Sequence, residues 1–353
     1  MIEIDDQYIK KRITPRREDA HKGDLGKILI FAGSVGMAGA AVLCGRAALK
    51  SGAGLVQYLL TDFDTPLLPI LQISVPEATC VRLTHRIKWS EYSAIAAGSG
   101  LGFSRQQSGP EYAHILETRK VLSSILDACD GTLVLDADAL NMIAADEDLA
   151  EQVRSSRAQI IMTPHVGEAR RLLHTTQEIR SLESRKQAVC TLARQYHCIA
   201  VLKGAGTLVS EEVGCVSSAE TQPEEISFCI SHKTADNSGI AAADSETQPE
   251  NEQGSCPADS GPDINKRQAE ASFCLSCNTT GNPGMATGGS GDSLAGLIAS
   301  LAAQGYTPLD AARMGVFLHG KAGDLAAAQL GQMGMTSSDL VSFLPAALKL
   351  YEK

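Results

Sequence analysis

The chain has 353 residues, of which 44% are hydrophobic, 20% charged and only 4% aromatic, and its net charge is -10. This composition is typical of a globular protein and excludes a fibrous or wholly disordered one. Its 31 lysines and arginines form no basic stripe of the kind that follows a phosphate backbone, so we expect no nucleic-acid partner. No apolar run reaches the roughly 20 residues that span a bilayer, so we expect no membrane partner.

The first 19 residues carry charges throughout and lack the apolar stretch of a secretory signal. The 10 cysteines do not have the spacing of a disulfide framework, and a chain of this length does not need one to fold. We therefore expect reduced thiols and a cytoplasmic location.

The excess of negative charge lies in one segment, residues 211–275, which holds 13 acidic and 3 basic side chains. The segment is rich in Ser, Gln, Pro and Asn, and it contains the string ETQPE twice. Such a composition buries too little apolar surface to offset the entropy lost when a chain is ordered. We therefore expect a single domain over residues 1–353 with a flexible acidic insertion at 211–275.

Short aliphatic runs alternate with stretches of helical periodicity in the rest of the chain. The runs are apolar on both faces, which predicts buried parallel strands at 27–32, 55–60, 93–97, 132–137, 159–163 and 198–203. The helical stretches lie at 39–51, 111–129, 139–155, 179–197, 291–303, 308–330 and 337–351. This alternation predicts an α/β protein with three αβα layers and a mostly parallel central sheet.

Glycines and polar residues follow five of the six predicted strands. Ligands of open α/β sheets bind beyond the carboxyl ends of the strands, so these positions are candidates for a site. The strings are GSVGMAGAA at 33–41, GSGLG at 98–102, DADALN at 136–141, TPHVGE at 163–168 and KGAGT at 203–207.

The strongest local signal is the glycine run that leads into the predicted helix at 291–303. Glycine lets a backbone approach a phosphate closely, and the free amides of a first helical turn donate to an anion. Gly288, Gly289 and Gly291 are therefore predicted to form an anion hole. Asp292 lies within it, where a carboxylate can take the proton of a hydroxyl that attacks a phosphoryl group. The alternative is that Asp292 only caps its helix.

The run lacks the G-K-[ST] of a Walker A loop and matches no dinucleotide fingerprint. Its Gly-Gly-x-Gly-Asp pattern at a helix start resembles the ribokinase-like superfamily. The string KGAGT has two interpretations. Either Lys203 reaches a nucleotide phosphate and Thr207 hydrogen-bonds one, or the string is only a turn after a strand.

Eight strings, in order, closely resemble the ADP/ATP-dependent NAD(P)H-hydrate dehydratases. They are HKGDLGKILIFAGS, SGAGLV, GSGLG, VLDADALN, TPHVGEARRL, VLKGAGT, NPGMATGGSGDSLAG and FLHGKAGDLAA. Ser290 stands where that family usually has Thr, and Ser293 stands where an apolar residue is usual. The insertion lengthens the hairpin that the resemblance implies between Val209 and Cys274.

The resemblance implies a ribokinase-like fold and a hydro-lyase that repairs the S epimer of hydrated NADH or NADPH. ADP or ATP would phosphorylate the C6 hydroxyl of the hydrated ring, and phosphate would then leave to regenerate the reduced dinucleotide. Asp292 would be the base. The resemblance further implies Mg²⁺ as cofactor, with no ligand assigned, and a homo-oligomer, in particular a tetramer. The alternative is a ribokinase-like kinase for a vitamin-precursor alcohol.

Matched motif by motif, the resemblance also implies the binding residues. For the hydrated dinucleotide these are Ala40, Gly102, His165 and Asp292. For the adenine nucleotide they are Lys203, Gly204, Ala205, Gly206, Thr207 and Gly291. Structural alternatives remain: Ala40 as a small residue where a helix packs on the sheet, Gly102 as a turn residue, and His165 as the cap of a helix that starts at Val166.

Five further positions are interpreted more simply. Asp136 and Asn141 are structural residues or supports of the site, and His21 with Lys22 lines its mouth. His319 is a helix-packing residue.

Overall fold

The computed structural model describes residues 1–63, 66–83, 87–103, 110–213, 228–229 and 272–352. In these ranges the strands form one sheet. In chain order they are β1 (Ile2–Ile4), β2 (Lys27–Phe31), β3 (Leu55–Leu60), β4 (Thr79–Arg82), β5 (Ala94–Ala97), β6 (Thr132–Leu135), β7 (Gln159–Met162), β8 (Ile199–Leu202), β9 (Thr207–Val213), β10 (Phe228–Cys229) and β11 (Ser272–Asn278).

Helices cover both faces of this sheet. They are α1 (Asp6–Arg12), α2 (Ala38–Lys50), α3 (Leu67–Ser74), α4 (Pro110–Ala128), α5 (Ala137–Ala145), α6 (Glu147–Ser155), α7 (Val166–Leu172), α8 (Leu182–Tyr196), α9 (Ser290–Ala303), α10 (Pro308–Leu330) and α11 (Ser337–Lys349). Within the described ranges no helix combines the length and the apolar character needed to cross a membrane.

The sheet is mostly parallel. Its order is β1-β11-β9-β8-β7-β6-β5-β2-β3-β4, and β10 pairs with β11 off this path. All neighbours from β8 to β4 are parallel, whereas β9 is antiparallel to both β8 and β11. The predicted three-layer αβα fold is confirmed, and each of the six predicted strands is present.

Two cores explain the three layers, because successive strand residues point to opposite faces of a sheet. Ile28 and Ile30 of β2 join the core shared with α2, α3, α9, α10 and α11. Leu29 and Phe31 of the same strand join the core shared with α4, α5, α6, α7 and α8. Strands with apolar residues at every position are therefore buried on both sides.

The prediction of one continuous helix at 139–155 is wrong, because the segment forms two helices, α5 and α6. Asp146 ends α5 and begins α6, since its carboxylate accepts a hydrogen bond from the amide of Leu149. A carboxylate in this position satisfies a free amide of a new helix and so favours a break. The apolar periodicity continues across the break, which conceals it in the sequence.

The bounds predicted for the acidic insertion, 211–275, include residues of a strand at either end. Residues 211–213 and 272–275 belong to β9 and β11, which pair antiparallel with Val213 opposite Ser272. The acidic side chain of Glu212 has a local partner, because one of its carboxylate oxygens lies 3.3 Å from Nε of Arg194 on α8. The rest of the insertion, apart from β10, lies outside the described residues.

Candidate active site

The segments that follow β2, β5, β6, β7 and β8 meet at the carboxyl edge of the sheet, as the strand order requires. Hydrogen bonds join neighbouring segments. The amide of Gly33, after β2, donates to the carbonyl of Ser99, after β5, at 2.8 Å. The amide of Lys203, after β8, donates to the carbonyl of Pro164, after β7, at 2.9 Å. The glycine-rich strings of the sequence therefore form one continuous rim.

Asp292 lies in the first turn of α9 and is half-buried at this rim. Burial, and then the charge of Asp136, raise the pKa of Asp292 above its ordinary value, while the nearby side chain of Ser99 and the charge of Lys203 act in the opposite direction. A carboxylate with a raised pKa is a better proton acceptor than an exposed aspartate.

The turn before α9 leaves its first amides free of side-chain caps. Gly289 occupies the N-cap position with a left-handed φ of 89°, a conformation that glycine adopts at little cost. The hydroxyl of Ser337, at the start of α11, donates to the carbonyl of Gly288 at 2.7 Å and fixes the turn. A side chain at Gly288 would meet no atom within 4 Å, so internal packing does not demand glycine there. The turn therefore leaves backbone amides without a side-chain cap at the start of α9, and their role as an anion hole stays a prediction.

A cluster of buried charges lies beneath this turn. Nζ of Lys203 is 2.6 Å from Oδ1 of Asp136 and 3.9 Å from Oε2 of Glu168. The hydroxyl of Thr163 donates to the same oxygen of Asp136 at 2.8 Å. A β-carbon at Gly291 would be 3.2 Å from Nζ of Lys203, so the ammonium lies directly against the first turn of α9.

The charges in this cluster control one another's protonation. Burial would lower the pKa of Lys203, but the charges of Asp136 and Glu168 and the hydrogen bond to Asp136 raise it, so the ammonium stays charged. Burial raises the pKa of Glu168, and the charge of Lys203 partly opposes that rise. The charges of Lys203 and Asp136 are therefore held in place close to Asp292, where they act on its protonation.

His165 is the N-cap of α7, which is the structural role predicted from the sequence as the alternative to ligand binding. Its Nδ1 accepts a hydrogen bond from the amide of Gly167 at 2.9 Å, and the carboxylate of Glu168 accepts one from the amide of His165 at 2.8 Å. Burial, followed by the charge of Lys203, lowers the pKa of His165, so the imidazole stays neutral. Its side chain is 54% exposed, which leaves part of the ring accessible to a ligand.

The loop that carries Gly102 packs against the start of α2, which carries Ala40. A β-carbon at Gly100 would be 2.7 Å from that of Ala40, and one at Gly102 would be 3.0 Å from the hydroxyl of Ser34. The amide of Gly102 donates to Oδ2 of Asp138 at 2.9 Å. The loop after β5 thus packs tightly against the start of α2, and Gly102, with a φ of 74°, has the backbone conformation of a turn residue.

The loop at 203–207 connects β8 to β9 as a tight turn. Two nitrogens of the Arg185 guanidinium donate to the carbonyls of Ala205, at 2.6 Å, and Gly206, at 2.9 Å. The hydroxyl of Thr207 donates to the carbonyl of Gly204 at 2.9 Å. These hydrogen bonds fix the conformation of the turn, in which Gly204 and Ala205 are exposed. Lys203, at the start of the turn, forms the ion pair with Asp136.

His319 is buried, which confirms its interpretation as a helix-packing residue. Its Nε2 lies 3.0 Å from the hydroxyl of Ser293, which itself donates to the carbonyl of Ser290. Ser293 therefore has a polar partner at a position where the family usually has an apolar residue. His21, in contrast, contacts Asp19 of its own loop, and no described contact joins it to the rim.

Several residues of the site carry no local signal in the sequence. Arg185 and Ser337 act from α8 and from the start of α11, far along the chain from the loops they hold. Asp138 and Glu168 stand inside the strings DADALN and TPHVGE, so the position of those strings after strands was the available signal.

The residues present do not form a preorganised metal cage. Among the described residues no group of three or more His, Cys, Asp or Glu is arranged to hold a metal ion. Asp136, whose charge acts on Asp292, and Glu168 already face the ammonium of Lys203. A divalent ion at this rim would need most of its ligands from phosphates and water, as Mg²⁺ often does.

A mostly parallel αβα sheet with a core helix that follows a glycine run and carries an aspartate in its first turn is the architecture of ribokinase-like proteins. Solved structures agree. A ribokinase-like superfamily protein from Enterococcus faecalis V583 superposes with a TM-score of 0.67 at 21% identity, covering 100% of this chain and 96% of that one. The ADP/ATP-dependent NAD(P)H-hydrate dehydratase of Bacillus subtilis, co-crystallised with ATP and Mg²⁺, gives a TM-score of 0.67 at 22% identity, with 99% of both chains covered.

Sequence comparison identifies the family within the ribokinase-like class. The family model described as NAD(P)H-hydrate dehydratase matches residues 28–224 and 269–346. The chain therefore belongs to the NAD(P)H-hydrate dehydratase family.

Two curated relatives illustrate the match. An ADP-dependent (S)-NAD(P)H-hydrate dehydratase from Neisseria meningitidis is 31% identical over 88% of this chain and 80% of its own length. A bifunctional NAD(P)H-hydrate repair enzyme from Moorella thermoacetica is 32% identical over 96% of this chain and 52% of its own length. The chain thus spans about half the length of the bifunctional relatives that it matches.

Proposed function

We propose that this protein dehydrates the S epimer of hydrated NADH and NADPH at the expense of an adenine nucleotide. The observation that carries the proposal is the position of Asp292, in the uncapped first turn of α9 between the loops that follow β5 and β8. Family membership and the activity named for the N. meningitidis relative support the choice of substrate.

The first step is phosphoryl transfer. The carboxylate of Asp292 takes the proton of the C6 hydroxyl, and the hydroxyl oxygen attacks the terminal phosphorus of the nucleotide. The bond from that phosphorus to the leaving oxygen breaks, and negative charge builds on the equatorial oxygens. Backbone amides of Gly288, Gly289 and Gly291 are assigned to stabilise this charge, together with the positive end of α9.

The second step is elimination. The C6–O bond breaks, a proton leaves the adjacent ring carbon, and the double bond of the dihydronicotinamide forms. Phosphate is expelled in place of hydroxide, which is a much poorer leaving group. We assign no residue to the ring proton.

Two groups of residues bind the two ligands in this proposal. Ala40, Gly102 and His165 hold the hydrated ring beside Asp292. Residues 203–207 and Gly291 hold the nucleotide, with the ammonium of Lys203 supplying positive charge under the transferred group. Lys203 acts here both on the phosphate and, through its charge, on the protonation of Asp292.

Mg²⁺ is expected to arrive with the nucleotide, since the B. subtilis dehydratase was co-crystallised with ATP and Mg²⁺. The ion would neutralise charge on the phosphates. ADP is the expected donor, because the N. meningitidis relative is named as ADP-dependent. A homotetramer stays a prediction from the family resemblance, and a cytoplasmic location stays a prediction from the cysteine spacing and the charged N-terminal residues.

The test is an assay of the purified protein with hydrated NADH or hydrated NADPH, Mg²⁺, and either ADP or ATP. We expect the absorbance of the reduced nicotinamide to return only when nucleotide is present. Vitamin-precursor alcohols such as hydroxyethylthiazole are offered in parallel. A stable phosphorylated alcohol, with no recovery of reduced nicotinamide, would make the protein a kinase and would refute the proposal, and so would nucleotide binding without any turnover.

A further inference from the structure

A cavity of about 1120 Å³ opens beside the candidate active site, on the side of the sheet covered by α4 to α8. It is lined by residues of α4, α5, α6 and α7 and by the turn that follows α7. A pocket of several hundred Å³ is the usual size for a nucleotide-like ligand, so the cavity has room for one. Its position and its charge indicate which one.

The cavity continues the part of the rim assigned to the hydrated dinucleotide. Phe103, which lines it, directly follows Gly102, and Gly167, which also lines it, directly follows the first residue of the helix that His165 caps. Asn141 lines it one turn after Asp138, whose carboxylate holds the amide of Gly102. None of the residues 203–207 lines the cavity, so it is separate from the loop assigned to the adenine nucleotide.

The cavity carries positive charge that the described residues do not neutralise. Nη2 of Arg170 donates to the carbonyl of Thr176 at 3.0 Å, and Nε of Arg171 donates to Oδ1 of Asn141 at 2.9 Å. Both acceptors are neutral, and no ion pair joins either arginine to a carboxylate within the described part of the chain. Arg119, in contrast, is paired with Asp146.

Arg170 also has a donor without an acceptor. Its Nε is buried and has no hydrogen-bond partner among the described residues. A buried donor that stays unpaired costs free energy, and a bound acceptor would recover it. The planar guanidinium fork matches the oxygens of a phosphate, so a phosphate is the acceptor that this chemistry favours.

Apolar and aromatic surface completes the cavity. Phe103, Tyr112, Leu116 and Met142 line it together with the two arginines. Aromatic and aliphatic side chains of this kind provide a face on which a purine base can stack.

We propose that this cavity binds the adenosine half of the hydrated dinucleotide, with Arg170 and Arg171 contacting its phosphates. The proposal rests on the proposed function for the identity of the substrate. It adds a subsite in which a phosphorylated adenosine is held while the hydrated ring lies against Asp292. Because the contact is made to an unreacting part of the substrate, it contributes binding of the substrate more than turnover.

Adenosine 2′,5′-bisphosphate is the probe, titrated calorimetrically into the protein in the presence of saturating ADP and Mg²⁺. ADP fills the nucleotide loop, and without hydrated dinucleotide no reaction occurs. We expect the probe to bind, and we expect Arg170→Met and Arg171→Met each to weaken that binding by at least about tenfold, since a charge-assisted contact is lost. Arg157→Met is the matched control, because this exposed arginine pairs with Asp130 and lies before β7, at the other end of the sheet.

The same variants are then tested with hydrated NADPH. We expect KM to rise by about tenfold and kcat to stay within about threefold of the wild-type value. Arg171→Lys should recover part of the loss, because it keeps the charge without the fork. Unchanged probe binding in both methionine variants would overturn the proposal, and so would a wild-type protein that binds no probe with or without ADP. The calorimetric result does not depend on dehydratase activity, so failure of the proposed function would be recognised separately.

Discussion

The ion pair between Lys203 and Asp136 connects the nucleotide loop to the proposed base. Asp136 raises the pKa of Asp292, and Lys203 lowers it, although burial has the largest effect. The base must be deprotonated to act, so the rate falls as the pH falls through the pKa of Asp292. The two members of the pair should therefore move the acidic limb of the pH profile in opposite directions.

We predict that Lys203→Met shifts the acidic limb of kcat/KM to higher pH and that Asp136→Asn shifts it to lower pH. The substitution of lysine removes a positive charge that favours the carboxylate, whereas that of aspartate removes a negative charge that opposes it. The measurement is kcat/KM against pH for both variants, alongside their thermal unfolding. Because either change leaves a buried charge without its partner, the double variant serves as the control and should fold better than Lys203→Met. Shifts in the same direction in both single variants would contradict this account.

His165 has a structural role and a proposed binding role, and one substitution separates them. Asparagine is a good N-cap residue, so His165→Asn should keep α7 capped while it removes the ring. We predict a three- to tenfold higher KM for the hydrated dinucleotide, of about the size of one lost hydrogen bond, with an unchanged KM for ADP.

Steady-state kinetics with each substrate varied in turn measure the effect, and His165→Ala serves as the comparison. The alanine variant should lose the cap as well and should unfold more easily, by about 1 kcal/mol. An equal rise in both KM values for His165→Asn would remove His165 from the dinucleotide site.

The contact between α9 and α10 makes the stability of the fold depend on pH. Burial lowers the pKa of His319 to about 4, so the folded protein holds a neutral imidazole. The unfolded chain binds a proton below about pH 6.5, and the folded chain does not until the pH nears 4. Stability contributed by this group is therefore complete above pH 6.5 and is lost progressively towards pH 4.

We predict that the free energy of unfolding of His319→Gln falls less than that of the wild type between pH 6.5 and 4, by up to about 3 kcal/mol. This figure is the free-energy equivalent of the pKa shift of His319. Denaturant unfolding of wild type and variant at several pH values gives the difference directly, because other titrating groups are common to both. A constant difference across the range would show that His319 does not titrate as its environment requires.

At the level of elements, the sequence predicted what depends on local pattern. Strands buried on both faces appear as uninterrupted apolar runs, and the long helices keep their periodicity, so their places were predictable. The short elements β1, α1, α3 and β4 were missed, since each depends on packing against distant parts of the chain more than on its own pattern. The break between α5 and α6 was missed because a single side chain, Asp146, creates it.

In the site, too, residues with a local sequence pattern could be predicted and residues placed by distant contacts could not. Asp292 and the three glycines could be selected because a glycine run before an apolar helix has few structural explanations. Ser337 and Arg185 could not, because they reach the site from distant segments through side-chain contacts. The arginine-lined cavity combines residues of four helices, and no spacing in the sequence brings them together.

For the whole molecule, the acidic insertion is the largest departure from the family. The family model matches up to residue 224 and again from 269, and the strands that flank the insertion pair directly, with Val213 opposite Ser272. We predict that replacing residues 214–271 with Asn-Gly leaves the fold and kcat nearly unchanged. A two-residue Asn-Gly turn suits a hairpin, and the entropy of loop closure varies slowly with length.

Thermal unfolding and kcat of the shortened protein, compared with the full chain, provide the measurement. The change keeps Glu212 and its contact with Arg194, but it removes β10 from the edge of β11. Loss of activity in a shortened protein that stays folded would show that the insertion forms part of the working enzyme.

The central claim is that Asp292 activates a hydroxyl whose phosphorylation drives dehydration. The most direct measurement follows inorganic phosphate and reduced nicotinamide together, with hydrated NADH and saturating ADP and Mg²⁺. The wild-type protein should release phosphate and reduced nicotinamide in equal amounts. Asp292→Asn should bind nucleotide normally and lower both rates by at least about a hundredfold, since the amide keeps the shape and lacks the basicity. Asp127→Asn, an exposed change on α4, is the control. Near-normal turnover in Asp292→Asn, or phosphate release without recovery of reduced nicotinamide in the wild type, would contradict the account.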